Sequence, residues 1–127
     1  MNYISENDVI EINSNILEVV YPLNILSLDR ISSAVNQIKQ SVFGKELYEG
    51  VFIKAANLTF FISKGHGFVD ANKRTAALSC ILFLKLNGFM IDEKHDIDLA
   101  KNILKLSTNA LSKEKFAKFL ENISEEL

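Results

Sequence analysis

The sequence has little of what covalent or metal-based frameworks require. Its single cysteine, Cys80, excludes an internal disulfide, and no cluster of cysteine and histidine indicates a zinc site. One proline and five glycines among 127 residues leave few turns, which favours helices. No apolar run is long enough for a membrane span, and the N-terminal segment lacks the basic and apolar regions of a secretion signal. A cytoplasmic protein without a membrane partner is therefore expected.

A strong charge of one sign is also lacking. The chain has 14 lysines and arginines against 16 acidic residues, and Arg30 and Arg74 are its two arginines. The lysines are spread along the sequence. Proteins that hold nucleic acid through its phosphates usually present a basic face. Direct nucleic-acid binding is therefore disfavoured.

The spacing of apolar residues predicts an all-α fold. Residues 1–127 have the length of one domain and contain no repeat or linker. Six helices are predicted, over about 6–20, 30–42, 47–64, 72–88, 96–107 and 112–123. The third and fourth are apolar on nearly all sides, which is typical of buried helices. These two helices should form the centre of the core, with Cys80 as a small buried apolar residue.

Local signals predict where several helices begin and end. Ser5 and Asp8 resemble a cap that opens the first helix, and Pro22 should end it because the residue before proline avoids helical angles. Asp29 is predicted to cap the second helix, and Gly88 to end the fourth. No run alternates apolar and polar residues long enough to build a sheet, although the break near residues 43–49 allows a short hairpin.

One segment between the two buried helices carries most of the chemistry. Asn72 opens the fourth helix, whose first backbone N–H groups lack partners within the helix. The small residue Ala71 lets the preceding backbone curl into a nest of N–H groups that favours an anion. Lys73 and Arg74 place two cations at the same end, where they oppose the helix dipole. A bound polyphosphate would offset that cost, so the segment indicates a phosphate site.

Three further side chains complete the segment. Asp70 stands beside the predicted phosphate site, and a carboxylate in that position is typical of an Mg²⁺ ligand. His66 supplies an imidazole, which in its neutral form can accept the proton of an attacking hydroxyl. Phe68 is predicted to point into the core and fix the loop. Together these parts indicate phosphoryl or nucleotidyl transfer, which depends on positioning and charge neutralisation.

The segment His66–Arg74 resembles the signature of the Fic/Doc superfamily. That signature is His, any residue, Phe, any residue, an acid, a small residue, Asn, Gly or Lys, and Arg. Ala55-Ala56 upstream, and Thr75-Ala76 and Leu86-Asn87-Gly88-Phe89 downstream, are similar to the family's flanking helices. The resemblance implies a compact helical bundle with the signature loop between two central helices, and the small size of the chain is similar to the Doc branch.

Lys73 distinguishes the two branches of the superfamily. Fic adenylyltransferases carry glycine at this position, whereas the Doc branch carries lysine. The resemblance implies a toxin of a toxin–antitoxin module that acts as an ATP-dependent protein kinase. It would transfer the γ-phosphate to a serine or threonine of elongation factor Tu and arrest translation. One alternative is AMP transfer on the same scaffold, and a second is a non-catalytic helical domain that binds a partner.

The resemblance also implies a role for each residue of the segment. His66 would be the general base, Asp70 would bind Mg²⁺, and Arg74 would act with them in catalysis. The residues implied to hold the ATP phosphates are Ala71, Asn72, Lys73 and Arg74. Gly67 stands where Fic proteins commonly carry proline, and it is expected to loosen the loop.

Two partner surfaces are implied in the same way. Residues 43–48 resemble the family's flap, which pairs with the backbone of the target protein. The flap residues are Phe43, Gly44, Lys45, Glu46, Leu47 and Tyr48. Doc toxins are neutralised by a short antitoxin segment that lies in a groove. Because the chain has no clear counterpart of the inhibitory glutamate motif of Fic proteins, the antitoxin is expected to act in trans.

Overall fold

The computed structural model describes every residue from Met1 to Leu127 and contains six α-helices. The helices are α1 (Glu6–Leu17), α2 (Leu28–Asn36), α3 (Val51–Gly65), α4 (Asn72–Leu86), α5 (Asp96–Ser107) and α6 (Lys113–Ile123), with 3₁₀ turns at Gln37–Lys39 and Glu93–His95. The strands are β1 (Ser41–Val42), β2 (Lys45–Glu46), β3 (Phe89–Ile91) and β4 (Ser124–Glu126). The predicted all-α class is confirmed. None of the helices combines the length and apolar character that crossing a membrane requires.

The helices α3 and α4 form the centre of the molecule, as their all-round apolar sequences predict. They contact each other more extensively than any other pair, and α1, α2, α5 and α6 pack around them. Ala55, Ala56 and Ala76 are fully buried at 0% exposure, and such short side chains let neighbouring helices approach closely. Cys80 is fully buried as well, as predicted. The two central helices therefore hold the loop between them in a fixed position.

The ends of the first two helices differ in part from the prediction. Ser5 Oγ accepts a hydrogen bond from the Asp8 N–H at 3.1 Å, which confirms the predicted cap of α1. However, α1 ends at Leu17, because Glu18 adopts a left-handed conformation with φ of 55°. The cap of α2 is Ser27, whose Oγ accepts from the Arg30 N–H, and not Asp29, which lies in the first turn.

Two small antiparallel ladders accompany the helices. The strands β1 and β2 form the hairpin allowed near residues 43–49, beginning two residues earlier than expected. Its turn is Phe43-Gly44 with φ of 50° and 78°, both positive as in a type I′ turn. The second ladder, β3 with β4, was not predicted, because each strand has only three residues and the two are remote in sequence.

Candidate functional site

The loop from His66 to Ala71 joins the end of α3 to the start of α4. Both of its ends have left-handed backbone conformations, with φ of 52° at His66 and 62° at Ala71. For residues other than glycine this conformation costs about 1–2 kcal/mol each. Such strain persists only where the surroundings hold the backbone, and it is concentrated at functional sites.

The centre of the loop is held by Phe68 and Asn72. The Phe68 side chain is 2% exposed and belongs to the core, as predicted. Asn72 Oδ1 accepts from the Phe68 N–H and Asn72 Nδ2 donates to the Phe68 carbonyl, both at 3.1 Å. The Asn72 side chain is thus engaged with the loop itself, and its backbone N–H is the group left for a ligand.

Residues 24–27 pack along the loop and fix its path. The Gly67 carbonyl accepts hydrogen bonds from the Leu26 and Ser27 N–H groups at 2.9 and 3.0 Å. A Cβ atom added to Gly67 would lie 2.5 Å from Ile31 Cγ1, so that the loop or the Ile31 side chain would have to shift. Whether Gly67 loosens the loop stays a prediction, and the structure shows that the residue is closely packed. Its missing side chain allows the loop to pack closely on α2.

Two buried asparagines, Asn13 and Asn24, connect α1 with the loop, and the sequence reasoning missed both. Asn13 Nδ2 donates to the Asp70 carbonyl and to Thr75 Oγ1, each at 3.0 Å. Asn24 Nδ2 donates to Asn13 Oδ1 at 3.1 Å. Both asparagines are 0% exposed, and buried polar side chains are as a rule hydrogen-bonded, as these two are. The signal that could have identified Asn13 in the sequence is its polar side chain among the apolar positions of α1.

The predicted site residues line one cleft of about 290 Å³ at the start of α4. The lining residues are His66, Val69, Asp70, Ala71, Asn72, Lys73 and Arg74. The side chains of His66, Asp70, Lys73 and Arg74 are exposed rather than packed in the core. The loop thus brings an imidazole, a carboxylate and two cations to the same surface. The flap is not part of this cleft.

The electrostatics of the cleft favour an anion. The backbone N–H groups of Asn72, Lys73 and Arg74 have no acceptor within the protein. The first turn of α4 contains no acidic residue, unlike those of α1, α2, α5 and α6. Lys73 and Arg74 form no ion pair, because Lys54–Glu46 is the one salt bridge of the chain. Free donors and unpaired cations therefore meet at one helix N-terminus.

The acidic part of the cleft is small. Asp70 Oδ1 accepts from the Ala71 N–H at 2.7 Å, which leaves Oδ2 available. No group of three or more histidine, cysteine, aspartate or glutamate side chains converges anywhere in the chain. A single carboxylate fits a cation that arrives with phosphate oxygens, as Mg²⁺ does, and does not fit a zinc site.

Comparison with known proteins is consistent with this geometry. The sequence model of the Fic/DOC family matches residues 3–84, which include the whole loop and most of α4. A similar protein, named Toxin Doc, from Mycolicibacterium smegmatis (strain ATCC 700084 / mc(2)155), is 30% identical over 82 residues. The alignment covers 65% of this chain and 63% of that relative, so it spans less than two thirds of the relative's length.

Proposed function

Because the chain belongs to the Fic/DOC family, we propose that it is a toxin that transfers the γ-phosphate of ATP to a serine or threonine hydroxyl of a target protein. The observation that carries the proposal is the shared cleft of His66, Asp70, Lys73 and Arg74 at the unpartnered N-terminus of α4. The similarity to a protein named Toxin Doc supports the toxin assignment.

ATP binding would rest on the start of α4. The free N–H groups of Asn72, Lys73 and Arg74 would hold phosphate oxygens, since a helix N-terminus attracts negative charge. The Arg74 guanidinium can bind two oxygens at once, whereas the Lys73 ammonium acts as a point charge. Mg²⁺ bound with ATP would neutralise charge on the phosphates, with Asp70 as its protein ligand.

The transfer itself needs one proton acceptor. The hydroxyl oxygen of the target attacks the γ-phosphorus while the bond from that phosphorus to the β–γ bridging oxygen breaks, and ADP leaves. The proton of the hydroxyl passes to the imidazole of His66, which lines the cleft and is exposed to a docked substrate. His66 lies four positions before Asp70, so the base and the phosphate site belong to one short loop.

Lys73 supports phosphate transfer over AMP transfer. Its side chain lies in the cleft where an adenylyltransferase of the family carries glycine. A bulky cation there would take up the space for the α-phosphate and favour the reversed nucleotide, with the γ-phosphate toward the target. AMP transfer by the same residues is the alternative, because the remaining signature is common to both reactions.

The flap would hold the protein target, for which we propose elongation factor Tu. Its hairpin presents short unpaired strand edges, and the Phe43 side chain at its turn is fully exposed to solvent. An extended target segment can pair with such an edge through backbone hydrogen bonds. The chain would be inhibited by an antitoxin that binds in trans.

The choice between the two reactions can be tested with labelled ATP. Purified protein, elongation factor Tu and MgATP labelled at either the α or the γ position would be incubated, and the label on the target counted. Transfer of the γ label alone, lost in His66→Ala, is expected. Transfer of the α label alone would refute the kinase assignment in favour of AMP transfer.

A non-catalytic partner-binding domain is the remaining alternative, and it predicts a different result in cells. Expression of the parent chain should arrest growth, whereas expression of His66→Ala at the same level should not. If both proteins arrest growth equally, transfer chemistry is not the cause and a binding function would replace the proposal.

A further inference from the structure

Lys54 is among the largest fully buried side chains in the protein, at 1% exposure, although it carries an ammonium group. It lies one turn into α3, near a helix N-terminus, where a cation opposes the helix dipole. Lysine is almost never fully buried unless its charge has partners. The location of this lysine therefore requires an explanation beyond the packing of the core.

Both polar partners of Lys54 belong to the flap. Its Nζ donates a hydrogen bond to the Tyr48 carbonyl and lies 3.3 Å from Glu46 Oε1. Glu46 is the last residue of β2, and Tyr48 lies in the short connection from β2 to α3. A single ammonium thus fixes two points of the flap to the central helix. The Tyr48 ring adds an edge-to-face contact with Phe61 of the same helix.

Stability of the fold does not explain this arrangement. Lys54 is the one buried charge of the pair, since Glu46 is half exposed, and replacing buried charges by apolar side chains of similar volume is often neutral or stabilising. A methionine at position 54 could fill the same space without a charge. Unlike methionine, the ammonium makes directional polar contacts, and both of them are with the flap. The hairpin itself is only two residues per strand, too short to hold its own orientation.

We propose that Lys54 is a positioning residue that fixes the flap for docking of the protein target. The docking role rests on the proposed function, whereas the fixing of the flap can be measured on the protein alone. Lys54 does not line the cleft of His66, Asp70, Lys73 and Arg74. Its loss should therefore affect the target and leave the binding of ATP unchanged.

The first experiment is amide hydrogen exchange of the full chain without any substrate. In Lys54→Met, the Leu47 amide, which donates to the Gln40 carbonyl, should exchange at least about tenfold faster than in the parent. Amides in the middle of α4 should keep their rates. A matched control is Lys64→Met, an exposed lysine of the same helix, which should leave the flap unchanged. Equal acceleration of flap and α4 amides, or none at the flap, would overturn the proposal.

The second measurement distinguishes an effect on the KM for the target protein from an effect on the KM for ATP. For transfer to elongation factor Tu, Lys54→Met should raise the KM for the target at least about tenfold, and the KM for ATP should stay within about twofold. A parallel rise of both KM values would show a merely structural role and overturn the proposal. If the parent transfers nothing, the proposed function fails, and hydrogen exchange still decides whether Lys54 fixes the flap.

A second variant, Glu46→Gln, tests the proposal even if Lys54→Met does not fold. Glu46 is half exposed at 53%, so Glu46→Gln cannot harm the core. It removes the ion pair and leaves the bond to Tyr48, and the flap amides should exchange about two- to fivefold faster. If Lys54→Met does not fold, unchanged flap exchange in Glu46→Gln overturns the proposal.

Discussion

Asn72 and Phe68 form a closed ring of two hydrogen bonds, in which the asparagine side chain accepts from the phenylalanine N–H and donates to its carbonyl, each at 3.1 Å. The ring satisfies both backbone groups of a residue whose side chain is buried in the core. It also fixes the span from Phe68 to Asn72, which carries Asp70 and leads into α4. The orientation of the cleft therefore depends on an amide whose own polar atoms are bound to the loop.

Asn72→Ala tests this dependence. It leaves the Phe68 N–H and carbonyl without partners, and it should lower the free energy of unfolding by about 1–3 kcal/mol. The affinity for MgATP should fall as the loop loosens. Urea denaturation and nucleotide titration measure the two effects. Asn122→Ala, an exposed position on α6, is the control and should change stability by less than about 0.5 kcal/mol. A variant as stable as the parent would show that the ring does not hold the loop.

Gly67→Ala should destabilise the fold through a steric clash. The new methyl would lie 2.5 Å from Ile31 Cγ1, and overpacking of this kind costs about 1–3 kcal/mol. Gly65→Ala is the matched control, because no atom lies within 4 Å of the added Cβ. In an Ile31→Ala background the cost of Gly67→Ala should largely vanish, and a double-mutant cycle measures this coupling. Additive effects of the two changes would argue against the clash.

The sequence predicted the features that depend on neighbours along the chain. The all-round apolar composition of α3 and α4 identified the core, and the spacing from His66 to Arg74 identified the cleft. Phe68 was assigned to the core because it alternates with the polar residues of the loop. Each of these signals lies within a short stretch of sequence, so it can be recognised without knowledge of the tertiary contacts.

The features that were missed depend on residues far apart. Asn13 bonds to positions 57 and 62 residues away, and β4 pairs with a strand more than thirty positions before it. In the sequence, Lys54 looks like an ordinary surface lysine of a helix, because its contacts with the flap exist only in the folded protein. The cap at Ser27 competes with Asp29 two residues later, and the contacts of Ser27 with Gly67 decide between them.

Cys80 makes the alkaline stability of the protein predictable. Burial raises the pKa of its thiol from 9.0 to about 12, against a smaller lowering by a hydrogen bond with Thr59. Between these values the unfolded chain loses the thiol proton and the folded chain keeps it. This contribution to stability is therefore complete below pH 9 and is lost as the pH rises toward 12. Across this pH range, the free energy of unfolding should decline less steeply with pH in Cys80→Ala than in the parent. Identical slopes of the free energy of unfolding against pH in the two proteins would show that Cys80 does not contribute to the decline.

Substitutions of His66 should separate its backbone strain from its chemistry. Its φ of 52° at the end of α3 suits glycine, so His66→Gly should be as stable as the parent or more stable by about 0.5–1 kcal/mol. The same variant lacks the imidazole, and its transfer rate should fall at least about 100-fold. His66→Ala should lose the same activity without the gain in stability, since alanine retains the left-handed strain. Thermal unfolding and transfer of labelled phosphate measure the two effects on the same samples. If His66→Gly keeps the parent's transfer rate, the imidazole is not the proton acceptor and the hydroxyl must lose its proton to another group.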